Sequence, residues 1–460
     1  MRAPRLVVTA AGTGAGKTAV AVGLMAAWRA RGLDVQPFKV GPDFIDPGHH
    51  AVAAGRPGRN LDSFLLEPDA LHAVFTRAAA TADISVVEGV MGLYDGLDPR
   101  QDAASTAEVA ARLSLPVVAV LDGHSAARTL AAVALGLTRM DPGLRWAGFV
   151  LGRLAPGPYS SALAEAVTVA TGLPVFGCLG PDPELAVPER HLGLRPAVEG
   201  AGWVAAAGRQ VAAGLDLDAL FAVAAAAPGL PEPPAAPPPA APTAALAVAQ
   251  DRAFHFYYED GLDELRRAGL ELIPWSPLRD DRLPADADGV YLGGGYPELF
   301  GPELAANVPA RKALAAAGRR GLPIFAECGG LMYLCRELAD LEGRVHPMAG
   351  LVPARAVMTG ALAGFGYREV RARRDSLLLR RGEVTRGHEF HWSRVEWEGV
   401  QDPGRTPWEL ARPGRDTAAP DGWGSGRTLA GYVHLHMAGD PRLARRLAVA
   451  CTAVRARRGR

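Results

Sequence analysis

Lysine is the residue this sequence has least of among its charges. Of 49 basic side chains in 460 residues, all but Lys17, Lys39 and Lys312 are arginine. Where arginine is the ordinary cation, each lysine raises the question of what a compact ammonium does there. Charge of one sign is also missing. The 49 basic residues are matched by 49 acidic ones, which argues against a chain built to lie on nucleic acid or on an anionic membrane. Cysteine is scarce. Cys178, Cys328, Cys335 and Cys451 are too scattered for a disulfide framework, so a reducing, cytoplasmic setting is expected. Long apolar runs are absent too. The longest stretch, Val117 to Leu137, is interrupted by Asp122, His124 and Arg128, and reads as a strand, a loop and a helix start rather than a membrane span. Arg2 and Arg5 precede a short apolar run that enters a glycine-rich loop with no cleavage pattern, so no secretory signal is expected. No repeat at solenoid periods is present.

What remains is an ordinary globular composition, 49% apolar and 21% charged. The length suggests two or three domains at ~150 residues each. A Pro/Ala run from Ala224 to Ala245 cannot pack a core and extends as a semi-rigid spacer. The expected organisation is therefore a domain over 1–225, a linker over 226–245 and a domain over 246–460.

Both halves alternate short apolar runs with helical stretches. In the first, Arg5–Ala10, Val35–Lys39, Ile84–Glu88, Pro116–Leu121, Trp146–Leu151 and Pro174–Gly177 read as buried strands, and Lys17–Arg31 as a helix. In the second, Leu246–Ala249, Leu270–Pro274, Gly289–Leu292 and Pro323–Ala326 read as strands, with helices over Leu262–Ala268 and Glu303–Ala317. Beyond Asp340 the pattern becomes more strand-like, with Glu389–Glu396 and Leu429–Val433 as examples. The expected class is α/β, with two doubly wound domains built on parallel sheets.

The strongest local signal is Ala11-Gly12-Thr13-Gly14-Ala15-Gly16-Lys17-Thr18, between a predicted strand and a helix. Gly12, Thr13, Gly14 and Gly16 would let backbone N–H groups approach phosphate oxygens. Lys17 would reach the terminal phosphates, and the Thr18 hydroxyl would join a Mg²⁺. Ala11 stands where a strict P-loop has glycine. The next strand end carries Lys39, Asp43 and Asp46. Lys39 could neutralise phosphate and the aspartates could ligate Mg²⁺; a plain turn-rich loop fits the segment equally well. A third strand ends in Glu88, the position of the second acidic metal ligand in P-loop enzymes, and Asp95 lies in the glycine-rich loop that follows. The three loops together make a phosphoryl-transfer site.

In the second half Ile324-Phe325-Ala326-Glu327-Cys328-Gly329-Gly330 places Cys328 at a strand-to-helix turn. The small Gly329 permits such an elbow, and a helix N-terminus is expected to lower the thiol pKa. The other three cysteines read as buried core residues. Gly294 and Gly295, at another glycine-rich strand end, could form an oxyanion hole with the N–H of Gly329. His434, at the end of a late strand, is the candidate base. His388-Glu389-Phe390-His391 has a metal-like look, but its histidines are three apart on a strand-like segment, so a structural or substrate-lining role is preferred.

These motifs, with Pro188-Glu189-Arg190-His191-Leu192-Gly193-Leu194, resemble the cobyrinate and hydrogenobyrinate a,c-diamide synthases of corrinoid biosynthesis. Such enzymes join a dethiobiotin-synthetase-like ATPase domain to a class I glutamine amidotransferase domain, and the resemblance covers nearly the whole chain. It implies ATP and Mg²⁺ as cofactors, with a corrinoid acid and glutamine as substrates. It implies that Cys328 attacks glutamine with His434 assisting, and that ammonia passes internally to the first domain. There the a and c acetates become acyl phosphates before amidation. It places Lys17 and Thr18 on ATP and Mg²⁺, Asp46 and Glu88 as metal ligands, and Asp43 and Asp95 near substrate and phosphate, while Lys39 stays a candidate for the ATP phosphates on its strand-end position alone. Class I amidotransferases usually carry a glutamate two residues after the histidine. Here that position is His436, so the partner of His434 is unassigned. Gly152 replaces the asparagine that precedes Arg153 in the family, at a strand end that could read adenine. Sibling readings are a nickel-sirohydrochlorin a,c-diamide synthase or a cobyric acid synthase, and, from a different class, a P-loop switch ATPase with a degenerate amidase. The oligomeric state is open, with a homodimer among the options. The basic C-terminal run, Arg455 to Arg460, reads as a solvated helix end.

Overall fold

The computed structural model describes residues 1–124, 126–182, 184, 201–232, 241–399, 405–415 and 417–459. The motif at 188–194 and the middle of the Pro/Ala run lie outside the described residues. The chain forms two compact units, Met1–Ala236 and Pro237–Arg460.

The first unit is built on seven strands in the order Arg59–Leu61, Val35–Val40, Ile84–Glu88, Arg5–Ala10, Pro116–Asp122, Arg145–Gly152, Val175–Cys178, all paired in parallel. Arg5–Ala10, Val35–Val40 and Ile84–Glu88 are buried at every position, as parallel strands covered on both faces must be. The period of two shows in Pro116–Asp122. Val118 and Val120 join a core with Leu24, Met25 and Trp28 of the helix Lys17–Ala30. Ala119 and Leu121 join a second core with Leu130 and Leu163. Helices thus cover both faces, as a doubly wound sheet requires. Val35–Val40, Ile84–Glu88 and Arg5–Ala10 are immediate neighbours, so the loops that follow them lie side by side. The buried Arg5 guanidinium donates to the carbonyls of Leu113 and Pro228, at 2.9 and 2.7 Å, and ties the end of the unit to its first strand.

The second unit has a six-stranded sheet ordered Leu270–Trp275, Ala244–Ala249, Gly289–Leu292, Ile324–Glu327, Thr428–Gly431, Trp423–Ser425. Only the last strand is antiparallel. Among the described residues the unit has three smaller sheets besides, of two, four and five strands. The expected helix over Glu303–Ala317 is two helices, Gly301–Ala306 and Val308–Arg319. Asn307 breaks it: its side chain accepts the Ala310 N–H and caps the second helix, and Pro309 in the first turn cannot continue a hydrogen-bond ladder. The expected strand Glu389–Glu396 is also two, Val384–His391 and Ser393–Trp397, in different sheets. Likewise Leu429–Val433 ends early at Gly431, and His434–Leu435 pairs with Val384–His391 instead. These two changes of sheet bring His434–Leu435 against the strand Val384–His391.

Lys312 is exposed on its helix. The C-terminal helix Pro441–Arg458 is less free than a solvated end: Arg455 and Arg458 lie 3.6 and 3.4 Å from the buried Asp288. Cys335 and Cys451 are buried as expected, whereas Cys178 is half-exposed. Among the described residues no helix is long and apolar enough to cross a membrane.

Candidate functional site

The glycine loop turns between Ala10 and Lys17 through left-handed backbone at Gly14 (φ 82°) and Gly16 (φ 96°), conformations that a Cβ would strain. Lys17 is 7% exposed and donates to Gly12 O at 2.8 Å. Burial, and then the nearby Lys39 ammonium, lower its pKa, so phosphate oxygens would relieve an ammonium short of solvent. Thr18 Oγ1 donates to Glu88 Oε1 at 2.6 Å. A Cβ at Gly152 would meet Ala15 O at 3.1 Å, so this strand end lies against the phosphate loop. Next to it Arg153, at φ 55°, pairs with Asp122.

Glu88 is the hub of the cluster. It is fully buried and receives Lys39 Nζ at 2.9 Å and His50 Nε2 at 2.6 Å, besides Thr18. Lys39 also pairs with Asp46 Oδ2 at 2.6 Å. Burial alone would push Glu88 up, but the Lys39 charge and the His50 hydrogen bond outweigh it and hold the carboxyl well below its usual value. Asp46 goes the other way, raised by burial and by the adjoining Asp43. One ammonium serves two carboxylates, and Asp46 is the one left short of positive charge. Lys39 therefore faces carboxylates here, not an open phosphate cradle. Asp43 Oδ1 accepts the N–H groups of Ile45 and Asp46, and Asp95 Oδ2 accepts the Gly92 N–H, so both shape their own loops. Among the described residues there is no cluster of three His, Cys, Asp or Glu side chains arranged as a metal cage. A hydroxyl, two carboxylates and surplus negative charge fit a Mg²⁺ held largely by phosphates and water.

In the second unit Cys328 follows Ile324–Glu327 and precedes the helix Gly329–Leu334, at φ 47° and ψ −104°. A non-glycine residue there is strained, and such strain gathers at functional positions. Two close approaches fix the elbow. Cβ atoms added at Gly330 or Gly329 would meet Leu292 O at 2.4 Å or Pro297 Cδ at 3.0 Å. Cys328 is 6% exposed, and its thiol points to Phe390 O at 4.0 Å. The expected lowering of its pKa is not found: burial pushes the thiol up and Glu298 adds to the rise, against the N–H of Gly329. A six-residue helix is too short to offset that desolvation.

Gly294–Gly295 is not a free loop. It pairs antiparallel with Phe254–Phe256, and a Cβ at Gly294 would lie 2.6 Å from His434 Cε1. The same Gly294 carbonyl carbon is 3.4 Å from where a Gly329 Cβ would stand, so histidine, nucleophile elbow and candidate oxyanion glycines converge. Burial pushes His434 down to about 3, with His388 adding to it, so the imidazole is neutral at rest. The His388-to-His391 pattern divides across its strand. Glu389 and His391 share one face, where Arg368 reaches Glu389 at 2.5 Å and His391 stacks on Tyr432 at 3.8 Å. His388 packs edge-on to Tyr367 on the other. Side chains three apart on a strand point oppositely, which disposes of a shared metal.

Three residues join these sites without having been singled out from the sequence. His50 lies one helical turn beyond Asp46, a spacing that was legible. Glu327 ends an apolar strand as Glu88 does, the same signal in the other half. Glu298, 8% exposed, is pushed up to about 7 by burial.

A parallel sheet with a Gly-Lys-Thr loop, joined to a unit with a cysteine elbow beside a histidine, defines a class: a nucleotide-binding unit fused to a glutamine amidotransferase unit. Residues 6–194 match the CobQ/CobB/MinD/ParA nucleotide binding domain, and residues 245–442 the CobB/CobQ-like glutamine amidotransferase domain. The cobyrinate a,c-diamide synthase of Salmonella typhimurium is 42% identical over 95% of this chain and 96% of its own length. That of Dehalococcoides mccartyi is 38% identical over 97% of each. The hydrogenobyrinate a,c-diamide synthase of Streptomyces coelicolor is 42% identical over 97% of each. The chain belongs to this family of glutamine-dependent a,c-diamide synthases.

Proposed function

We propose that the chain amidates the a and c acetate carboxylates of a corrin macrocycle, cobyrinate or hydrogenobyrinate, with ATP and glutamine. The observation that carries this reading is the strained Cys328 beside His434 and Gly294, in one chain with the Lys17–Thr18–Glu88 cluster. A carboxylate is a poor electrophile and ammonia is scarce at neutral pH, so the reaction needs both an activating and an ammonia-releasing site. Cys328 Sγ attacks the glutamine side-chain carbonyl as His434 takes the thiol proton and hands it to the departing ammonia. Water then releases glutamate from the thioester. In the first unit Lys17 and the loop N–H groups of Gly12, Thr13, Gly14 and Gly16 would hold the phosphates, and Lys39 keeps Glu88 ionised while pairing with Asp46. Thr18, Asp46 and Glu88 would hold Mg²⁺, which neutralises charge developing on the transferred phosphoryl group. Asp43 and Asp95, which shape these loops, would lie near the substrate and phosphate. The substrate carboxylate takes the γ-phosphoryl group, and ammonia displaces phosphate. Gly294, Gly295 and Gly329 border the oxyanion position.

The test is mass spectrometry of products after incubation with ATP, glutamine and each macrocycle. A mass change matching two amides on one of them supports the reading, and no amidation of either refutes it. Cys328→Ala should abolish glutamine hydrolysis while ammonia-driven ligation survives.

A further inference from the structure

His434 is turned toward a carboxylate that no motif assigns. Its Nδ1 lies 3.9 Å from Glu327 Oε2, and both side chains are 2% exposed. Glu327 is the residue before the nucleophile. Its Oε1 accepts the N–H of Leu435 at 2.8 Å, and its Oε2 accepts the Tyr291 hydroxyl at 2.7 Å. Leu435 directly follows His434, so the carboxylate is tied to the histidine's own strand, and two donors fix its plane. Position 436, where a glutamate would be expected, holds a buried histidine whose ring lies on Tyr258, centroids 4.4 Å apart.

We propose that Glu327 is the positioning residue of His434. Its carboxylate accepts a hydrogen bond from Nδ1–H, which leaves Nε2 bare to receive the Cys328 thiol proton, and it stabilises the imidazolium that forms. The separation exceeds a hydrogen bond and closes by a small ring rotation when glutamine binds, as catalytic contacts commonly tighten with substrate. Burial disfavours an ionised Glu327 and a protonated His434 separately; side by side, each charge stabilises the other. The nucleophile and the residue orienting its base are then sequence neighbours at the end of one strand. This rests on the reading that Cys328 and His434 hydrolyse glutamine.

Glu327→Gln in the full chain keeps shape and loses charge. Its amide N–H₂ would donate to Nδ1 and force the proton onto Nε2, removing the base. Glutaminase kcat is expected to fall by up to about 10⁴-fold, the cost of a wrong-tautomer histidine, with glutamine KM within threefold and ammonia-driven ligation unchanged. Glu327→Asp, a worse steric match that keeps the charge, should retain more activity than Gln; a merely structural role predicts the reverse order. Glutaminase kcat within threefold of the parent for Glu327→Gln, or Asp below Gln at equal KM, overturns the proposal. If the Gln variant does not fold, Glu327→Ala takes its place beside Glu327→Asp: glutaminase kcat for Ala at least tenfold below Asp at equal KM supports the proposal, and Ala equal to or above Asp refutes it. Cys328→Ala in the same series separates the two readings. Retained glutaminase there sinks the site itself, whereas an inert Cys328→Ala beside an active Glu327→Gln sinks only the assignment of Glu327.

Discussion

A single methyl group at position 294 tests whether His434 must sit where the fold holds it. Gly294 is not in left-handed backbone, so alanine meets no torsional penalty and the effect is purely steric. The new Cβ would stand 2.6 Å from His434 Cε1 and 3.3 Å from Phe256 Cβ, against an ordinary carbon contact of ~3.5–4.0 Å. The imidazole must therefore move by about 1 Å. It is 2% exposed and its residue is paired with His388 across two strands, so the displacement is not absorbed cheaply. Misplacement of a catalytic group by about 1 Å costs ~10²-fold, or about 2.7 kcal/mol of barrier. Overpacking itself costs ~1–3 kcal/mol of stability. Glutamate release measures the first quantity and thermal melting the second, while ligation driven by added ammonia should continue. Gly295→Ala is the contrast. Its Cβ would lie 2.1 Å from the Ala253 carbonyl oxygen at φ 152°, and backbone cannot give way, so the local fold is lost. A Gly294→Ala enzyme with glutaminase kcat within threefold of the parent would refute the placement of His434 as the base.

Lys17→Arg should lower ATP-dependent ligation by ~10²–10³-fold, the cost of one misplaced donor to developing charge, with glutaminase retained; equal loss of both reactions would contradict the division of labour. Chelation with EDTA should abolish ligation and spare glutamine hydrolysis, and Mg²⁺ should restore it; ligation that persists in chelator refutes the Thr18–Asp46–Glu88 assignment. Burial raises Glu298 from 4.5 to about 7, so between those values the folded chain keeps a proton that the unfolded chain releases, and stability falls as pH rises. Glu298→Gln should therefore be more stable than the parent at pH 8, by up to about 3 kcal/mol, and no more stable at pH 4; equal differences at both pH values in calorimetry would refute the buried carboxyl.

Some elements were legible because local chemistry forces them. Arg5–Ala10, Ile84–Glu88 and Gly289–Leu292 have the observed limits of their strands, since β-branched apolar runs bounded by glycines and charges have few other uses. The glycine loop and the Cys328 elbow were equally plain, because backbone in the left-handed region and close strand–helix approach admit few sequences. Glu303–Ala317 was misread because periodicity continues across Asn307, and only the capping geometry shows the break. The HEFH segment was ambiguous in sequence and is resolved by strand pleat, which parts its histidines.

The sequence by itself determined the class and the loops and singled out Cys328 as the candidate nucleophile, since each depends on residues close together along the chain. It also marked Lys17 as a phosphate ligand and left Lys312 without a role. Only the tertiary structure decided how charge is shared. Lys39 meets Glu88 from 49 positions away, and His434 meets Glu327 from beyond a hundred, tied through the Leu435 N–H. Which carboxylate is neutralised, which thiol is raised and which glutamate faces the histidine depend on burial and angstrom-scale distance, and neither quantity is local in sequence.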